Sequence, residues 1–341
     1  MRIDSLGFCL LINRLLGPMH SLNLIIKPFR NSDKEFELLY RLENTLESHV
    51  KDWGSPAMLK YEANLLPEKC NAECEFLEID GEILGYGYTG HHSGAFDPTL
   101  LGSNLAIPEE ERYRACAQTY LERQISRARQ TRGVKTLGAW VSRDTEFMRE
   151  LYTSNGFEIS LVEYVSMISL EEFHVERFSK YVQRFEESPL QILTLKQLQR
   201  VYSDWEQRLF QLWHRIEMDV PTDLIEPDMD FDFWKASLFA PWFEAEDVYV
   251  VLDGDKWVAL SSYDRSDRPT DTFSTDLTGV LPEYRRRGIC TALKVFALDD
   301  LKRKGCNRVF TENEEDNPMY QINMMLGFEK IGNEAGFKLQ L

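Results

Sequence analysis

The sequence predicts an α/β protein made of two tandem copies of one domain, and three observations lead there. Strand-like and helix-like segments follow the same order in both halves. Each half holds a glycine-centred hairpin. The second half also carries a strand-to-helix loop of the kind that binds phosphate. In the first half, residues 22–27 read as a strand and 32–43 as a helix, with Ser32 as its cap three residues before Glu35. A second helix is expected over 57–65. Residues 75–79 and 83–89 are strand-like and joined by Asp80-Gly81, a strong hairpin signal. A strand over 102–107, a long amphipathic helix over 111–129, a strand over 134–141, a helix over 145–154 and a strand over 156–168 complete the half.

The charged stretch 171–189 ends in Ser188-Pro189, which locates the linker. The order then recurs, with a strand over 192–195, a long helix over 196–217 and a helix over 231–239. A hairpin is centred on Asp253-Gly254-Asp255, with arms over 248–252 and 257–263. Further strands are expected over 273–280 and 308–311, a helix over 318–325 and a closing strand over 337–341. The expected division is an extension over 1–18, a first domain over 19–172, a linker over 173–189 and a second domain over 190–341.

Composition narrows the function classes. At about 150 residues per domain, 341 residues hold two domains, and 43% hydrophobic with 12% aromatic residues supports packed cores. A net charge of -17 disfavours nucleic acid and anionic membrane as partners. The apolar run over 6–16 is interrupted by Asn13 and Arg14 and is too short to span a bilayer. Six scattered cysteines in a chain of this size read as reduced thiols of a cytoplasmic protein. Cys70 and Cys74 have no second pair beside them, and the six histidines show no paired spacing, so no metal is expected.

Chemistry concentrates in Val280-Leu-Pro-Glu-Tyr-Arg285-Arg286-Arg287-Gly288-Ile289-Cys290-Thr291. Pro282 ends the strand before it, and apolar residues at helical spacing (Leu293, Phe296, Ala297, Leu301) start a helix near Gly288. Glycine lets a ligand approach the backbone, and the unpaired first N–H groups of a helix point back at the loop. With three guanidinium groups around it, such a loop suits a pyrophosphate better than a single carboxylate.

These residues resemble the GNAT acetyltransferase superfamily, in its bacterial form with two tandem domains. The resemblance rests on four ordered pieces: Thr278-Gly279-Val280, Arg285 to Cys290, Thr311-Glu-Asn313, and Asn317 to Gly327-Phe328. Cys290 departs from the family's small last loop position. In the first half, Tyr152-Thr-Ser-Asn-Gly156-Phe157 matches the family's closing pattern, whereas Arg112-Tyr-Arg-Ala115-Cys-Ala117 has alanine where the loop needs glycine. The first half is therefore expected to be a degenerate, supporting copy.

The resemblance implies two domains that are each a mixed, mostly antiparallel sheet flanked by helices. It also implies acetyl-CoA as donor and an amine of a small molecule or peptide as acceptor, in a monomer or homodimer. Arg285, Arg286, Arg287, Gly288, Ile289, Cys290 and Thr291 would hold the pyrophosphate, the strand edge at Thr278 and Val280 the pantetheine arm, and Asn317 would touch that arm. The same strand is expected to splay from its neighbour after a bulge. Where the family often places an acidic tyrosine this chain has Asn323, and Tyr320 lies one helical turn earlier on the same face. Strand alternation puts Asp276 on one face with Thr278 and Val280, from where it can relay a proton through water. Glu217 and Asp219 fall in the segment that shapes the acceptor pocket, and the run Glu312, Glu314, Glu315, Asp316 reads as a solvated loop face. The competing expectation is a catalytically silent acyl-CoA sensor or scaffold.

Overall fold

A computed structural model describes residues 22–50, 54–222, 230–267 and 271–341, so the expected 1–18 extension lies outside the described residues. The first half runs β1 (Leu24–Pro28), α1 (Asp33–Leu46), α2 (Pro56–Leu65), β2 (Glu73–Ile79), β3 (Glu82–Gly90), β4 (Leu100–Ala106), α3 (Arg114–Gln130), β5 (Thr136–Val141), α4 (Glu146–Ser154) and β6 (Glu158–Ser169). The expected linker contains a helix, α5 (Ser179–Glu186). After it come β7 (Leu190–Thr194), α6 (Leu195–Leu198), α7 (Trp205–Glu217), α8 (Phe231–Leu238), β8 (Val248–Asp253), β9 (Lys256–Arg265), β10 (Thr272–Val280), α9 (Ile289–Arg303), β11 (Arg308–Glu314), α10 (Pro318–Leu326) and β12 (Glu329–Gln340).

Local chemistry accounts for most boundaries. The Glu35 carboxylate accepts from the Ser32 N–H at 3.0 Å at the start of α1. Asp80 and Gly81 both have positive φ, 51° and 91°, as a two-residue hairpin turn requires. The long helix expected over 196–217 is instead two helices, α6 and α7. Ser203 and Asp204 sit at the break, where short polar side chains favour caps over helix interiors. The closing strand is 329–340, not 337–341. Irregular register at Lys330/Gly332 and at Gly336/Phe337 bends it, and the two glycines conceal its strand pattern.

The two halves do not form separate sheets. Their strands make one sheet in the order β1-β2-β3-β4-β5-β12-β6-β11-β10-β9-β8-β7. Each half lends its last strand to the other: β12 pairs antiparallel with β5, β6 pairs antiparallel with β11, and β12 and β6 pair with each other at the centre. Only β4/β5 and β10/β11 are parallel.

The exchange is also built into the cores. Phe337 and Leu339 of β12 are buried among Leu137, Tyr152 and Phe157 of the first half, whereas Ile168 of β6 packs with Val309, Leu326 and Phe328 of the second. Among the described residues no helix is long and apolar enough to cross a membrane.

Phe337 is 1% exposed and stacks on Tyr152 with ring centroids 5.1 Å apart. Phe337→Ala is expected to lower stability by about 3–5 kcal/mol. Urea unfolding followed by both fluorescence and circular dichroism should show one shifted transition. Two separated transitions would contradict the coupling of the halves through β12.

Candidate functional site

The site is organised by an irregularity in β10. Its register against β9 shifts between Thr275↔Tyr263 and Thr278↔Ser261, so Asp276 and Leu277 face Ser262 alone in a β-bulge. On the other edge, parallel pairing with β11 ends at Ser274↔Phe310, and β10 continues to Val280 without a ladder partner on that side. The strands splay there, as expected. The first half has the same split, since β4 leaves β5 after Ser103↔Ala139, but β4 keeps unbroken register with β3 and has no bulge.

The bulge corrects one expectation. Leu277 packs against α7 and its neighbours, Val280 packs in the opposite core with α9, and Asp276 lines a cavity together with Glu217 and Trp213. Asp276 therefore shares the α7 side with Leu277 and not the side of Val280. Gly279 is required on that side, because a Cβ would lie 2.2 Å from Ile216 Cγ2.

Beyond β10 the chain makes a 3₁₀ turn at Pro282–Tyr284 and then the arginine loop. Arg286 (φ 60°) and Gly288 (φ 80°) are both left-handed, which turns successive backbone N–H groups into an anion-binding concavity at the start of α9. Arg285 donates through Nε to Val280 O at 2.9 Å and pairs with Asp219. Arg287 donates to Glu283 O at 2.8 Å and lies over the Tyr284 ring. Ile289 and Thr291 are buried beneath the loop. Tyr181 of α5 approaches Gly288, where a Cβ would sit 3.4 Å from its Cδ1. Asp219 thus serves the loop, while Glu217 faces the cavity.

The counterpart in the first half is closed. A 3₁₀ turn at Glu111–Tyr113 runs straight into α3, with no left-handed residue. Arg114 is held by Glu111 and Glu150 at 3.3 and 3.1 Å, and Cys116 and Ala117 are buried. Nothing there resembles a phosphate cradle.

The cavity at the bulge, of about 410 Å³, lies between the halves. Glu217, Asp264 and Asp276 reach it from the second half, and Tyr61 and Glu62 of α2 from the first, with Trp213 and Trp234 among its walls. Asp276 meets solvent through this space, yet loss of hydration pushes its carboxyl well above the usual range, and the charges of Asp264 and Glu217 add to that. Burial, then Asp247, raises Asp264 to about 6. Burial raises Glu217 too, and its Oε2 has no hydrogen-bond partner.

A second cavity, of about 450 Å³, shares Met58 and Glu62 with the first. Four further carboxyls line it. Burial and then Glu47 and Glu62 push Glu43 up to about 8, and burial and then Glu312 push Glu334 up to about 8. Glu47 is pushed up to about 7 by burial, and Glu312 is raised by burial as well. Glu312 lies on β11 and lines this cavity while still meeting solvent, so it is not part of a loop face. Among the described residues, none of these eight carboxyls forms an ion pair.

Asn317 caps α10, accepting from Met319 N at 2.9 Å, and Met319 Sδ lies 3.7 Å from Cys290 Sγ, which seats this cap beside the arginine loop. Tyr320 packs edge-on against Tyr164 with centroids 5.3 Å apart. Asn323 is fully buried and donates to Asn313 Oδ1 at 2.6 Å. Lys294, one turn into α9 from Cys290, is also fully buried; burial pushes it down to about 8. Among the described residues no cluster of His, Cys, Asp and Glu is placed to hold a metal ion. Asp264, Glu62, Glu43, Glu47 and Glu334 escaped the sequence reading, because no local motif links α1, α2, β9 and β12.

Several of these carboxyls bind their protons more tightly in the fold than in the unfolded chain. The folded state therefore carries more protons from about pH 4 up to about pH 8, and stability is lost as pH rises through that window. Thermal melts are expected to show the midpoint falling between about pH 5 and about pH 8. Glu334→Gln, which keeps an acceptor for Trp140 Nε1, should flatten the slope; an unchanged slope would remove Glu334 from the account.

Residues 202–328 match the acetyltransferase (GNAT) family. No curated protein matches the chain. Among solved structures, a GCN5-related N-acetyltransferase from Sphaerobacter thermophilus aligns over 93% of this chain and 95% of its own, with TM-score 0.66 and 13% identity. A tandem GNAT protein from the clavulanic acid biosynthesis pathway aligns over 93% and 98%, with TM-score 0.65 and 14% identity. A glucosamine N-acetyltransferase region of a fungal β-N-acetylglucosaminidase covers 94% of this chain and 38% of that one, with TM-score 0.62 and 15% identity. At these identities the likeness is one of fold.

Proposed function

With residues 202–328 matching the GNAT acetyltransferase family and the chain sharing the fold of its tandem members, we propose that this protein is an acetyl-CoA-dependent N-acetyltransferase for a primary amine of a small molecule or peptide, with its working site in the second half. One observation carries the reading. The bulge, the splayed β10 edge and the left-handed arginine–glycine loop occur together in the second half, and the first half retains only the splay.

The residues present fit acetyl-CoA. Backbone N–H groups from Arg285 to Thr291, with the exposed guanidinium groups, would hold the pyrophosphate, and the free edge at Thr278 and Val280 would pair with the pantetheine arm beside Asn317. Bound acetyl-CoA supplies the activated acetyl group. The carboxyls of Glu217, Asp264, Asp276 and Glu62 collect and orient the ammonium form of the acceptor, with aromatic rings beside them. Asp276, at the bulge and with raised proton affinity, takes the proton that the amine must lose. Tyr320 is the hydroxyl assigned to the departing thiolate, and Asn323 fixes α10 against β11 through Asn313. Asp219 holds Arg285 in place.

Calorimetry on Gly288→Glu should show acetyl-CoA affinity reduced by at least about 100-fold with an unchanged circular dichroism spectrum, since a side chain is strained at φ 80° and its charge repels phosphate. Retained affinity would refute the loop assignment. In thiol-release assays Glu217→Gln should lower kcat/KM for the amine about tenfold or more. Tight acetyl-CoA binding without thiol release from a panel of polyamines, amino sugars and peptides would favour a silent acyl-CoA-binding protein instead.

A further inference from the structure

The first half keeps a split between β4 and β5 although its phosphate cradle is closed. A cavity of about 660 Å³ opens at that split. Its walls include Leu100, Trp140 and Leu161, and its floor crosses Gly102 and Gly138, which are register partners on neighbouring strands. Glycine within strands weakens a sheet, and it recurs where a ligand or another chain lies close to the backbone. His92, also in the lining, has its pKa lowered by loss of hydration.

The position of this groove decides its use. Leu66, Ser93, Gly94 and Glu217 line both the groove and the carboxylate cavity at the β10 bulge, so the two spaces adjoin through one junction. On the side of the second half the groove is closed by Val220, Pro221 and Thr222, just after Glu217 at the end of α7. A molecule with its ammonium group at Glu217 and Asp276 can therefore extend its body past Ser93 and Gly94 toward the glycine floor, along a lining in which Leu100, Trp140 and Leu161 outweigh the polar Asn104, Glu163 and Lys338. A nucleotide cofactor has no anchor there, because the Arg112–Ala117 segment lacks any left-handed turn.

We propose that the groove of the first half is the specificity pocket for the acceptor's apolar body, so that the preferred substrate is an amphipathic primary amine with an extended alkyl or aryl portion. The inference rests on the transferase reading above for the position of the amine. It assigns the degenerate half a direct role in substrate choice. The carboxyls hold the charged end, and the groove rewards each methylene or ring that leaves water.

The test uses the full-length protein with butylamine, octylamine and tryptamine, measuring thiol release from acetyl-CoA and, separately, amine binding by calorimetry. Octylamine and tryptamine should exceed butylamine in kcat/KM by at least about tenfold, mainly through KM, with the same ranking in affinity. Leu161→Trp, within the groove, and Ser93→Trp, at the junction, should bring the octylamine to butylamine ratio close to one in both measurements, with circular dichroism confirming the fold. Equal constants for all three amines in the unmodified protein would overturn the proposal, as would an unaltered ratio in both variants or displacement of bound octylamine by desulfo-CoA in the Gly288→Glu background. Acetylation of butylamine without any dependence on length would leave the transferase reading standing and remove the groove from it. Length-dependent binding abolished by the two variants, without turnover of any amine, would keep the groove as an amine site and remove the transferase reading.

Discussion

The pairing of β12 with β6 at the centre of the sheet is the constraint on which the rest of the molecule depends. Each of the four central strands β5, β12, β6 and β11 hydrogen-bonds to a strand contributed by the other half, and one core of each half contains residues of a lent strand. The halves therefore cannot drift apart as loosely joined domains do. This rigidity lets the cavities between them keep a fixed shape although eight unpaired carboxyls surround two of those spaces. Like charges in low-dielectric surroundings push a structure open. A continuous sheet resists that push, and the carboxyls respond with a raised affinity for protons.

Two near-copies of one fold have diverged at a few positions whose physical consequences can be followed. At the C-terminal end of α1, Glu47 is engaged by Tyr86, Asn104 and Ser142. Glu217 ends the corresponding helix α7 with its Oε2 unpartnered, opposite a bulge in β10 that β4 lacks. The same helix end thus braces the sheet in one half and faces open space in the other. Ala115 and Gly288 tell the parallel story in the loops, where the first lies in a helix that starts early and the second turns the chain left-handed before its helix begins.

Much of this was legible in the sequence, and the exceptions share a cause. The Asp80-Gly81 turn, the Ser32–Glu35 cap and the Gly288 helix start follow from chemistry within a few residues, and they fall where expected. The splay of β10 was inferred from the family resemblance and is present. The facing of Asp276 was misjudged because strict alternation fails at a bulge, and neither side of Asp276 carries a glycine or proline to announce one. The break at Ser203-Asp204 was hidden by an otherwise helical apolar spacing, and the length of β12 by Gly332 and Gly336. The acidic walls were out of reach for a different reason: Glu43 and Glu62 of the first half meet Asp264 and Glu334 of the second only through tertiary contacts between residues far apart in the sequence.

That exchange also sets an order of events in biosynthesis. A chain emerging N-terminus first completes β1 to β5 long before β12. Until then Thr136–Val141 is an open sheet edge carrying Leu137, Ala139 and Val141, the kind of edge that recruits foreign strands. The first half cannot complete its sheet until β12 has been made. Its sheet closes only then, through contacts of very high sequence separation, which makes the late capture of β12 the slow and aggregation-exposed step of folding.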